Sequence, residues 1–97
     1  MQIRDFQQLI ERIYYRKDSS RGLAATHMWF TEEVGELTRA LRRGQDRANL
    51  EEEFADVLAW LSTLASIAGV DLEEAAAKKY AQGCPYCRST PCSCGSG

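Results

Sequence analysis

An all-α fold is predicted by three features of this chain. Apolar residues recur at three- and four-residue steps, glycines and capping residues punctuate those runs, and no strand alternation or internal repeat competes. The expected architecture is a four-helix bundle completed by oligomerisation, with a short cysteine-rich tail after it. Residues 1–83 form the expected helical domain and residues 84–97 the tail.

Ile3, Phe6, Leu9/Ile10, Ile13 and Tyr14 lay one apolar stripe along a first helix, expected over Gln2 to Arg16. Lys17-Asp18-Ser19-Ser20-Arg21-Gly22 reads as a polar, flexible link whose serines can cap the next helix. That second helix carries the stripe Leu23, His27, Phe30, Val34, Leu37 and Leu41. Its last turn is basic, with Arg39, Arg42 and Arg43, as the helix dipole favours, and Gly44 follows as a left-handed stop.

Asn49-x-x-Glu52 resembles a capping box opening a third helix, whose stripe is Leu50, Phe54, Val57, Leu61, Leu64 and Ala68. Its four-three spacing matches that of the second helix and suits antiparallel packing of the two. Gly69 is the expected stop, and Asp71-x-x-Glu74 a second capping box. A shorter fourth helix then carries Leu72, Ala75, Ala76 and Tyr80 and ends near Gly83. So short a chain buries a modest fraction of its surface alone, which makes a homodimer or homotetramer the expected state.

The tail places Cys84-Pro-Tyr-Cys87 four residues before Cys92-Ser-Cys94, with Pro85 and Pro91 shaping turns. Four thiolates can complete a tetrahedron around zinc, although the loop between the pairs is much shorter than in ordinary zinc ribbons. Free or redox-active thiols are the competing reading. Gly95-Ser96-Gly97 reads as a flexible ending.

With 97 residues, 44% of them apolar and 27% charged, the chain fits one globular domain. The longest apolar stretch, Val57 to Val70, is interrupted by Ser62, Thr63 and Ser66 and is shorter than the roughly 20 residues of a bilayer span. The N-terminus lacks the apolar region of a secretory signal, so a cytoplasmic location is expected. Fourteen acidic against twelve basic residues leave a net charge of −2, which gives no general attraction for nucleic acid or anionic lipid. Any phosphate ligand must therefore be bound locally.

Chemistry is concentrated in two acidic motifs, Glu32-Glu33-x-x-Glu36 on the second helix and Glu53-x-x-Asp56 on the third. Residues three apart on a helix differ by about 60° around its axis, so Glu33 with Glu36, and Glu53 with Asp56, form two pincers. Each of these acids immediately precedes a stripe residue, which puts both pincers beside the expected seam between the helices. Carboxylates gathered there repel one another, and protonation or bound cations must relieve the strain. An oxygen-only ligand set suits magnesium, whereas zinc more often recruits histidine or cysteine. A di-iron bundle would need Glu-x-x-His elements, and the chain has one histidine.

Together the two motifs resemble those of the MazG-type nucleotide pyrophosphohydrolases, in which Glu-Glu-x-x-Glu is followed by Glu-x-x-Asp on the next helix. Both elements are present without substitution, and the resemblance covers about residues 1 to 81. It implies that Glu33, Glu36, Glu53 and Asp56 hold magnesium while Glu32 orients or deprotonates the attacking water, or is instead another metal ligand. The implied reaction turns a nucleoside triphosphate and water into the monophosphate and diphosphate, in a role such as nucleotide-pool sanitation. Trp29, one turn before Glu33, can stack on a base, and His27 can hydrogen-bond to it. Lys78 lies where family members commonly contact phosphate or nucleotide. A related phosphoribosyl-ATP pyrophosphohydrolase and a non-enzymatic, zinc-binding oligomerisation adaptor are the competing readings.

Overall fold

A computed structural model describes residues 1–95; Ser96 and Gly97 of the glycine-serine ending lie outside the described residues. Four helices follow one another, α1 (Ile3–Arg21), α2 (Leu23–Arg43), α3 (Arg47–Ile67) and α4 (Leu72–Tyr80), and no strand occurs among the described residues. α3 is the central element, packed against α2 along one side and α1 along another, with α4 touching α1.

α1 runs five residues past its expected end, so the stretch read as a flexible link is helical. The cause is tertiary: Asp18 is buried, accepts a 3.0 Å hydrogen bond from the Thr63 hydroxyl of α3, and pairs with Arg21 at 2.9 Å. Nor does a serine cap α2. Gly22, at φ +83°, sits at that cap, and the Thr26 hydroxyl donates back to its carbonyl at 2.7 Å.

The next joints turn where glycine and aspartate allow. Gly44 takes the left-handed conformation, at φ 62° and ψ 6°, and its N–H reaches the Ala40 carbonyl. α3 then opens three residues earlier than expected, because the Asp46 side chain, and not that of Asn49, caps it by accepting the Asn49 N–H at 3.1 Å. Asp71 caps α4 at the expected place, accepting the Glu74 N–H at 3.0 Å.

Gln7 ties α1 to the α3–α4 turn. Its buried amide donates to Ser66 Oγ and the Val70 carbonyl and accepts the Leu72 N–H, at 3.1, 2.8 and 2.9 Å. Arg4 adds ion pairs to Asp71 and Glu73. Among the described residues the buried apolar side chains are few: Ile10, Ala40 and Ala65.

The apolar stripes are only partly covered. Phe30, Leu37, Leu50, Val57 and Leu64 are half-buried, whereas Leu23, Val34, Leu41, Phe54 and Leu61 are exposed. The accessible surface of 7408 Å² compares with about 5,600 Å² for a compact monomer of this mass. A radius of gyration of 15.9 Å likewise exceeds the roughly 12.5 Å of a compact chain of this length. No single helix among the described residues is long and apolar enough to cross a membrane.

A carboxylate triad at the α2–α3 seam

The three-residue loop Gly44–Asp46 folds α3 back along α2 and thereby sets which side chains meet. Trp29 stacks on Trp60, ring centroids 6.2 Å apart and planes 16° from parallel. One turn along, Glu33 meets Asp56, and one turn further the same antiparallel register brings Glu36 to Glu53. The acids therefore face one another across the two helices, Glu33, Glu36 and Glu53 half-buried and Asp56 exposed.

Carboxylate oxygens of Glu33, Glu53 and Asp56 come within 4.8 Å of one another. One of them, Glu53 Oε2, is buried with no hydrogen-bond partner. Burial holds the Glu33 carboxyl above its ordinary range, reinforced by Asp56, Glu53, Glu36 and Glu32. Glu53 is raised in the same way, by burial and then by Asp56, Glu36 and Glu52, with Arg39 acting in the opposite sense. A divalent cation would remove both problems at once, giving the orphaned oxygen a partner and cancelling the repulsion. The donor set, oxygen only and anionic, fits a hard ion such as magnesium.

The other residues expected in the site are placed differently. Glu36 belongs to the acidic group electrostatically but is turned to an ion pair with Arg39, outside the triad. Glu32 is exposed and also outside it. Trp29 is at the site's edge on Trp60, while His27 is exposed and lies against Phe30 at 6.4 Å between ring centroids. Lys78 lines a separate cleft at the junction of α4 and the tail, whose walls include none of the carboxylates.

Beside Asp56 the structure opens a cleft of about 240 Å³ that the sequence reading missed. Tyr14, Lys17 and Arg21 of α1 face Asp56, Trp60 and Thr63 of α3 across it. The Arg21 guanidinium lies 4.9 Å from the centre of the Trp60 ring and is oriented by its pairing with Asp18. The pieces suit an organic phosphate, with cations for its oxygens, an aromatic plane for a base and a carboxylate triad alongside. A signal for this wall was present: Ile10, Tyr14, Lys17 and Arg21 continue the helical spacing of α1 through the segment read as a link.

A family model described as the MazG nucleotide pyrophosphohydrolase domain matches residues 21–88, which span both acidic motifs and reach into the tail. No curated protein matches the chain.

Proposed function

The chain belongs to the MazG nucleotide pyrophosphohydrolase family, and from that premise we propose a magnesium-dependent enzyme that converts a (d)NTP and water into (d)NMP and diphosphate. The observation that carries the reading is the buried, unpartnered Glu53 oxygen within the Glu33, Glu53 and Asp56 triad, next to a basic and aromatic cleft. Nucleotide-pool sanitation is the role we assign to this activity.

Glu33, Glu53 and Asp56 would hold the metal, with Glu36 joining on release from Arg39. Bound magnesium supplies charge neutralisation at the phosphate oxygens and a more acidic water. Arg21 and Lys17 bind and orient the phosphate chain from α1. Trp60, stacked on Trp29 and lying under the Arg21 guanidinium, supplies an aromatic wall for the base. Glu32, adjacent to the triad in sequence and exposed to solvent, accepts the proton of the attacking water. The phosphoanhydride between the α- and β-phosphorus breaks, and the hydroxyl of that water ends on one of the two phosphate products. His27 and Lys78 are given no part in this scheme: His27 lies against Phe30, and Lys78 lines the separate cleft at the junction of α4 and the tail.

We also propose that the working unit is a homo-oligomer, a dimer or a dimer of dimers. Val34 and Leu41 on α2, with Phe54, Leu58 and Leu61 on α3, leave apolar surface in water that a second copy would cover.

Phosphorus NMR of products from the common NTPs and dNTPs, with phosphoribosyl-ATP in the same panel, tests the chemistry. Monophosphate and diphosphate should appear only with magnesium. Orthophosphate with a nucleoside diphosphate, or no turnover at all, would refute the proposal.

A further inference from the structure

We propose that Cys84, Cys87, Cys92 and Cys94 form a closed, structural zinc(II) site at the end of α4, independent of the hydrolase reading. The geometric argument begins with spacing. A regular tetrahedron with zinc–sulfur bonds of about 2.3 Å has sulfur–sulfur edges of roughly 3.8 Å. The Sγ separations are 3.7 Å for Cys84–Cys94, 3.9 Å for Cys87–Cys92 and 3.6 Å for Cys84–Cys92, and all four sulfurs fall within 4.8 Å of one another. The short loop between the two cysteine pairs therefore does close.

Two disulfides do not explain this arrangement. A disulfide needs about 2.05 Å between paired sulfurs, and Cys92 lies 3.6 Å from Cys84 and 3.9 Å from Cys87, with neither singled out as its partner. The four are free cysteines gathered around one centre.

The backbone is shaped to hold them there. The Cys84 carbonyl accepts the Arg88 N–H at 2.6 Å, the Cys84 N–H reaches the Ser89 carbonyl at 3.0 Å, and Arg88 turns through φ 59°. Gly83 enters at φ +95°, where a Cβ would come within 2.7 Å of Thr90 Oγ1 and 2.8 Å of the Ser89 carbonyl oxygen. Only glycine fits that approach. Two backbone donors point at sulfur, Ser93 N–H to Cys87 at 3.3 Å and Cys94 N–H to Cys92 at 3.4 Å, and such outer hydrogen bonds fix the direction in which a ligating sulfur points.

Four thiols give up four protons to solvent as one zinc ion binds, and the product carries a net charge of −2. All four coordination positions come from the protein, so no water or substrate is activated there and the ion acts by organising residues 84–94. Zinc is favoured over iron because iron(II) stands low in the affinity order of the divalent metals and zinc well above it for the same four sulfurs.

The test uses the full chain purified under reducing conditions. Elemental analysis should give one zinc per chain, and cobalt substituted for it should show thiolate-to-cobalt charge transfer with intense tetrahedral ligand-field bands. Cys87→Ser and Cys92→Ser should lose the ion, while Glu53→Gln should keep it. If a serine variant fails to fold, thiol reactivity of the wild type decides instead: the cysteines should be slow to alkylate until a chelator is added. Absence of metal after refolding with stoichiometric zinc, two disulfides seen as a mass loss of four hydrogens, bound iron, or zinc retained without the cysteines would each overturn the proposal.

Discussion

Glu53 is the residue at which structure and chemistry meet, because its buried oxygen has no partner in the protein and its charge is opposed by neighbours on both helices. Glu53→Gln removes one anionic ligand at almost constant volume. Nucleotide hydrolysis should fall by about 100-fold or more, with helicity by circular dichroism unchanged. The same variant reports on the repulsion. Glu33 and Glu53 have folded-state values raised above the ordinary 4.5, so the folded chain binds their protons more tightly than the unfolded one. Their stabilising contribution is complete below the unfolded value and is lost as pH rises through the folded values. In metal-free buffer, the melting temperature of Glu53→Gln relative to wild type should therefore climb from pH 4.5 towards neutrality, and magnesium should raise wild type more than the variant. A pH-independent difference would count against this. The acidic motifs were legible in the sequence because helical spacing alone fixes which acids share a face. That Glu36 turns to Arg39, and that Arg21 faces Trp60, were not legible, since each depends on which of several partners a long side chain finds in space.

At the scale of elements, α1 shows what local pattern can and cannot say. Gly44 and Asp71 mark helix ends by backbone chemistry that acts within a few residues, and both ends fall where the sequence puts them. The final turn of α1 rests on Asp18 and Thr63, 45 residues apart, and no window along the chain contains that bond. Asp18→Ala should cost about 1–3 kcal/mol, because it strands the buried Thr63 hydroxyl and frees Arg21. Urea unfolding measures the loss, and faster amide exchange confined to residues 17–21 would place it. Arg21 should also lose its orientation over Trp60, raising KM for nucleotide more than it lowers kcat.

For the whole molecule, the same stripes that made the helices recognisable leave the single chain unfinished. The period tells that Phe54, Leu61 and Leu41 share apolar faces, yet it cannot tell whether the cover comes from this chain or another, and here they are exposed. Leu58→Glu, on the α3 face with Phe54 and Leu61, should lower the mass measured by light scattering to that of one chain while preserving zinc content. A wild-type protein already monomeric at micromolar concentration would reject the assembly. The manner in which α1 is fastened has a last consequence. Gln7 and Arg4 rivet one extremity and Asp18 the other, and Ile10 is the helix's one buried aliphatic side chain among the described residues. Mild denaturant should thus peel this strut away before the α2–α3 hairpin melts, so catalysis would vanish early, with the acids still face to face and the wall opposite them gone.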